Sequence, residues 1–168
     1  MKLRPARTMD VFPLVEILVE RHKDTIYAGH VGIDEVIARK TIAYTVQRHG
    51  GQNEGAGFVM VAVDADDVPQ AFMMGSLVRV YLVGDMLEAV DNFLIGRAGV
   101  SPIILDRLLD TYVQWAIDNP KVYEVQGSYT DIIEGSDRFD AVFRRKGFKR
   151  CGAIFRRLPH AEARETAA

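Results

Sequence analysis

The sequence predicts one α/β (α+β) domain built on a mixed, mostly antiparallel sheet with helices on both faces. Three observations predict it. The chain has 168 residues, 48% of them apolar and 26% charged, which is the size and composition of one domain around one core. Its hydrophobic spacing is helical before Gly50-Gly51, strand-like between Phe58 and Gly96, and helical again after Ser101-Pro102. Finally, Val122 to Tyr129 reads as a strand that follows a helix long enough to carry the chain back across the sheet. A right-handed crossover then makes that last run parallel to the strand before it.

The elements follow in order. Met1 to Arg4 reads as a short strand ended by Pro5, and Thr8 is placed to cap a helix with Val11, Leu14, Val15, Leu18 and Val19 on one face. A loop carrying Tyr27, Gly29 and Gly32 leads to a second helix with Val36, Ile37, Thr41, Ile42 and Tyr44 as its apolar positions. Phe58 to Val63 and Gln70 to Val83 form a hairpin around the turn Asp64 to Pro69. Gly84-Asp85 turns the chain into Ala89 to Gly96, where two-residue alternation puts Asp91, Phe93 and Ile95 on one face. Ser101 caps and Pro102 opens a helix with Ile104, Leu105, Leu108, Leu109, Tyr112 and Ala116 as its stripe, and Asn119-Pro120 stops it. After the strand at Val122 to Tyr129, a short helix starts near Ser136, buries Phe139, Val142 and Phe143, and ends at Gly147. Phe148 to Leu158 closes the domain as a hairpin around Gly152. Residues 1–158 are thus one domain, and residues 159–168 a flexible tail with too little to bury.

Composition removes several classes of function. No stretch approaches the roughly 20 apolar residues of a membrane span, and the opening MKLRPARTMD has no apolar signal region. The single cysteine, Cys151, has no internal partner, so a reducing cytoplasm is the expected compartment. A net charge of −2 gives no global field for nucleic acid. Arg144, Arg145, Lys146, Lys149, Arg150, Arg156 and Arg157 do cluster near the end; they read as a solvated helix end and charged edge strand, or as a local anion site. His22, His30, His49 and His160 lack metal spacing, so no metal is expected. Asp64, Asp66 and Asp67 suit a turn, and Ser76 and Ser128 lack the signature of a nucleophile elbow.

The order of elements, with the phrases KLRPARTMDVFPLVEILVE, VAVDADDVPQAFMMGSLV and VFRRKGFKRCGAIFRR, resembles the GNAT superfamily of N-acetyltransferases from about Lys2 to Leu158. That resemblance implies a parallel splay between the fourth and fifth strands, with acetyl-CoA or another acyl-CoA in the gap as cosubstrate. Phe93, Leu94, Ile95 and Gly96 would offer main-chain groups to its pantetheine, opposite Val125 to Tyr129, because parting strands leave amides that a guest can satisfy. An oxyanion-like site would lie near Ile95. The pyrophosphate would meet the start of the crossover helix, at Ser101, Ile103, Ile104 and Leu105. The acceptor implied is a small-molecule or peptide amine, and a homodimer is left open.

The sequence departs from the family pattern twice. The clustered glycines of the pyrophosphate loop are missing from Val100 to Leu105; Gly96, Arg97 and Gly99 lie just upstream, as a shifted nest with Arg97 meeting phosphate or as a plain strand-to-helix turn. The tyrosine that protonates the leaving thiolate is replaced by Phe143, whose ring still belongs to the cofactor-side set. Tyr129 and Tyr112 are the substitute acids, or else core and rim aromatics. For the base that takes the amine proton, Asp91 is the first candidate and Glu88 the second, each with the alternative of a solvated strand-end acid. Asp131 and Glu134 are candidates to hold a cationic acceptor, or loop solubilisers. The rival reading is a GNAT-fold binding or assembly module without catalysis.

Overall fold

The computed structural model describes residues 1–129 and 139–152. Asp131, Glu134, Arg156, Arg157, the helix start near Ser136, the far half of the closing hairpin and the tail 159–168 lie outside the described residues. Strands β1 (Lys2–Pro5), β2 (Gly57–Val63), β3 (Pro69–Arg79), β4 (Leu87–Gly96) and β5 (Val122–Val125) form one sheet in the order β1-β2-β3-β4-β5. All neighbours are antiparallel except β4 and β5, which are parallel. Helices α1 (Val11–His22) and α2 (Glu35–Gln47) precede β2; α3 (Pro102–Ile117) makes the crossover and α4 (Phe139–Arg145) follows β5. Among the described residues no helix is long and apolar enough to cross a membrane.

Each face of the sheet has its own core. Phe58, Met73, Leu77 and Ala89 bury against Leu108, Leu109, Tyr112 and Ala116 of α3 and Phe143 of α4. Val59, Val61, Phe72 and Met74 point the other way, into Leu14, Ile17 and Leu18 of α1 and Ile42 of α2. The two-residue period of β2 and β3 therefore feeds both cores, as expected of strands covered on both sides. Gly75 is required on the α3 face, because a Cβ there would stand 2.6 Å from the Tyr112 ring.

Thr8 does not cap α1. It opens a 3-10 turn, Thr8–Asp10, and the helix starts at Val11. The reason is Asp10: its carboxylate is gripped by the buried Arg4 guanidinium at 2.7 and 3.0 Å and also accepts the Arg7 N–H at 2.6 Å, tying β1 to the helix start. In α1, Ile17 is buried where Val19 was expected; Val19 is exposed. In α2, Asp34 caps the helix by accepting the Val36 and Ile37 N–H groups. Val36, Ile37 and Tyr44, however, are 52%, 61% and 57% exposed, and Ile42 and Thr45 are the buried positions.

The run expected to continue as strand to Val83 ends at Arg79. Tyr81 and Leu82 take left-handed backbone (φ 56° and 64°), which breaks the ladder. The expected fifth strand is also shorter, stopping at Val125 instead of Tyr129. Ser101 and Pro102 do cap and open α3, and Gly147 follows α4 at φ 86°. Of the terminal basic cluster, Arg144 pairs with Asp140, Arg145 with Asp106, and Lys146 with Asp106 and Asp110. Those three cations are neutralised by local carboxylates, which favours the solvated helix end over an anion site.

Candidate functional site

The site is built by a strand that has a partner along its whole length on one edge and only at its start on the other. β4 pairs with β3 from Arg79↔Leu87 to Ala71↔Gly96. With β5 it pairs only over Leu87–Ala89, and the last backbone bond across that edge runs from the Gln126 N–H to the Ala89 carbonyl at 2.8 Å. Among the described residues, no backbone bond joins Val90–Gly96 to β5. The chain after Val125 is drawn aside by packing: a Cβ on Gly127 would lie 2.3 Å from the Phe143 ring, so glycine alone lets α4 press so closely there.

The register carries one irregularity. Gly75 opposes Asp91 and Met74 opposes Phe93, leaving Asn92 as an extra residue. Such a bulge resets the alternation. Asp91, Phe93 and Ile95 therefore do not share a face, contrary to the sequence expectation. Phe93 lies against Phe72, with ring centroids 6.2 Å apart, and Ile95 packs in the α1/α2 core. Asp91 shares the α3 side with Gly75 and Tyr112. Glu88, one residue from the buried Ala89, falls on the same face as Phe93.

Asp91 spans the opening. Its carboxylate accepts the Ser128 N–H at 2.9 Å and the Ser128 hydroxyl at 3.0 Å, taking the place of a strand-to-strand bond just where the ladder ends. Burial pushes the Asp91 carboxyl above its usual range, and the two Ser128 bonds offset part of that shift. Glu88 is also raised, first by burial and then by Glu124, the carboxylate opposite it on β5; Gln126 donates to Glu88 at 2.7 Å. Tyr112 is fully buried and donates to the Gln126 carbonyl at 3.0 Å. Desolvation, with Asp91 and Glu88 nearby, holds its hydroxyl far above the ordinary phenol range. With its hydroxyl proton given to the Gln126 carbonyl, Tyr112 stands as a core aromatic.

Phe143 is buried beside Phe139 and Phe148. Tyr129 stacks on its ring at 6.4 Å and donates to Asp140 at 3.3 Å. At the far end of β4, Gly99 adopts φ 83° and the Val100 N–H closes on the Arg97 carbonyl. Ser101 accepts the Ile103 N–H at 3.3 Å and its carbonyl accepts the Ile104 N–H at 2.9 Å. Arg97 is turned away from the start of α3: it donates to Glu20 at 2.8 Å and Glu16 at 3.1 Å, while the Ala98 N–H also reaches Glu20. Those bonds hold the Glu20 carboxyl below its usual range.

Sequence reasoning missed the bulge at Asn92 and the roles of Ser128, Glu124, Gln126, Glu16 and Glu20, each of which enters through a partner distant along the chain; none carries a local motif for them.

No family model matches the chain, and no curated protein sequence matches it. Solved structures do match in shape. A tetramutant of the BH1408 protein from Bacillus halodurans superposes with a TM-score of 0.70 at 16% identity, over 95% of this chain and 99% of that one. Glucosamine-6-phosphate N-acetyltransferase from Arabidopsis thaliana gives 0.66 at 7% identity, over 94% and 97%. Ribosomal-protein-alanine N-acetyltransferase from Brucella melitensis gives 0.63 at 9% identity, over 94% and 100%. With its five-stranded sheet, one parallel edge and full-length superposition at such low identity, this chain has the GNAT fold of the N-acetyltransferases in a divergent sequence.

Proposed function

We propose that the chain is an acyl-CoA-dependent N-acyltransferase that passes an acyl group, most simply acetyl, to a primary amine by direct attack in a ternary complex. One observation carries the reading: the main chain of β4 from Val90 to Gly96 has no β5 partner among the described residues, beside a strand that bends away. An extended amide-bearing molecule can complete such an edge by β-addition. The acyl-CoA thioester supplies the electrophilic carbonyl. The residues present fit its pantetheine arm well and its pyrophosphate less well, because Arg97 is engaged by Glu16 and Glu20 and the first N–H groups of α3 are partly satisfied by Ser101.

The chain's own residues divide the work by face. Because α3 covers the Asp91 side, the acceptor approaches from the α1/α2 side, where Glu88 stands. Glu88 takes the amine proton, directly or through water, and its raised pKa suits that task. The amine nitrogen then forms a bond to the acyl carbon, the carbon–sulfur bond breaks, and its electron pair leaves with sulfur. Amide groups near Ile95 stabilise the developing negative charge on oxygen. Phe143 has no proton to give, so the thiolate leaves unassisted, takes a proton from water, or takes one from Tyr129. Asp91 acts as a positioning residue, holding Ser128 across the opening. The neighbours named above act on an amino sugar phosphate and on ribosomal-protein alanine, so the fold does not by itself choose the acceptor.

Calorimetric titration with acetyl-CoA, followed by thiol release with a panel of primary amines, tests the proposal. Saturable binding and amine-dependent release are expected. No binding at millimolar acetyl-CoA would overturn it. The second reading, a GNAT-fold module without catalysis, is favoured by the Arg97 ion pairs and by Phe143; acetyl-CoA protection against heat with no thiol release would mark a cofactor-binding remnant, and neither protection nor release would support the module.

A further inference from the structure

Helix α2 leaves an apolar cavity of about 350 Å³ between itself, α1 and β4. Leu18 of α1, Ile33, Ile37 and Ile42 around α2, and Phe93 of β4 form its walls, and Asp34 sits at its rim. The volume lies within the range of small-molecule sites. Ile37 is 61% exposed and Phe93 39% exposed, so the walls stand open to water where the sequence pattern called for packing. The Asp34 Oδ1 atom caps α2. No lysine or arginine lines the cavity among the described residues.

Its place on β4 gives the cavity meaning. Phe93 is the first residue beyond the Asn92 bulge and shares a face with Glu88, which stands roughly 13 Å back along the strand at about 3.3 Å per residue. A molecule seated in the cavity therefore touches the unpaired stretch of β4 from the side opposite α3. Apolar walls, carboxylates at Asp34 and along the β4 face at Glu88, and the absence of a lining cation complement one kind of guest: an ammonium group carrying a hydrocarbon arm.

We infer that this cavity selects the acceptor, taking the alkyl or aryl arm of a primary amine whose nitrogen lies toward Glu88. The inference rests on the acyl-transfer reading and adds the substrate class to it. A polar acceptor such as an amino sugar leaves these walls wet and gains nothing from them.

The test is a homologous series of ethylamine, butylamine, hexylamine and phenethylamine, with hexan-1-ol as the arm without the amine. Binding is read by calorimetry without acyl-CoA, and turnover by thiol release with acetyl-CoA. Affinity is expected to rise about fourfold per methylene, the equivalent of ~0.8 kcal/mol per buried CH₂, until the cavity is full. Ala38→Leu, which adds bulk on a helix wall, is expected to abolish that dependence while circular dichroism and Tm stay near wild type; Ile37→Ala weakens hexylamine binding without filling the cavity. Equal affinity from ethyl to hexyl, or a series unchanged by Ala38→Leu, overturns the inference. So does a dimer in sedimentation that Ile37→Lys converts to monomer, since a second copy would then cover the walls. Thiol release at equal KM for every amine rejects the pocket and keeps acyl transfer. Graded binding lost in Ala38→Leu, without thiol release from any amine, keeps the pocket and rejects acyl transfer.

Discussion

Replacing Asp91 separates its structural task from catalysis. The carboxylate holds two donors of Ser128 at 2.9 and 3.0 Å. Asp91→Ala strands the Ser128 N–H, and an unmet donor costs about 1–3 kcal/mol. Ser128 is exposed, so water replaces part of the loss and the expected cost is near the low end, about 1 kcal/mol. Asp91→Asn keeps an acceptor for the N–H and removes the buried charge. The sign with pH follows from the raised carboxyl. Between the unfolded value, near 3.9, and the higher folded value, the folded state binds more protons, so this group's contribution to stability falls as pH rises through that window. Below the window both states are protonated and the penalty is absent. Urea melts from pH 3 to 7 should show Asp91→Asn gaining on wild type as pH rises. A flat difference, or wild type gaining on the variant, refutes the burial argument. In thiol-release assays Asp91→Asn should lose less than tenfold in kcat, whereas Glu88→Gln should lose about 10²–10⁴-fold, the range of a general base. The reverse ranking would return the base role to Asp91.

Three further outcomes are expected. Gly127→Ala places a methyl 2.3 Å from the Phe143 ring and should destabilise by about 1–3 kcal/mol, the usual cost of overpacking; thermal melts of Gly127→Ala in a Phe143→Leu background should recover most of it. Asp10→Ala removes the bidentate partner of the buried Arg4 and leaves it the Asp67 carboxylate at 2.8 Å, so the cost should be about 2–3 kcal/mol, below the range for a buried charge left wholly unpaired, or roughly 4–12 °C in Tm for a chain of this size, measured by calorimetry. Glu16→Gln with Glu20→Gln frees Arg97 and should tighten acetyl-CoA severalfold in calorimetric titration; unchanged affinity would mean that Arg97 never meets the pyrophosphate.

Most of the element order was legible because it rests on period. Leu108, Leu109, Tyr112 and Ala116 mark α3 by helical spacing alone, and Ser101-Pro102 marks its start. The misreadings share a cause. Val36, Ile37 and Tyr44 are apolar at plausible spacing, but spacing does not say whether a neighbour arrives to cover them. Tyr81 to Val83 are strand-prone, yet the chain turns there through two left-handed residues without a glycine to announce it. The bulge at Asn92 has no signal at all: one extra polar residue after Asp91 looks like uninterrupted strand. Ser128 and Glu124 could not be found from sequence because their importance comes from register with β4, more than thirty residues earlier.

That single extra residue reorganises the chemistry. Without it, Asp91 would share a face with Phe93 and Ile95, as alternation requires. With it, Asp91 turns into the opening, where a carboxylate can hold Ser128 but lies on the side closed by α3. Glu88, before the bulge, stays on the side where α1 and α2 leave an apolar cavity. A carboxylate that clasps Ser128 and a carboxylate on the cavity side thus stand three residues apart on one strand, separated by the sheet itself. The same geometry accounts for their raised pKa values by different routes: Asp91 by burial set against Ser128, Glu88 by burial reinforced by Glu124.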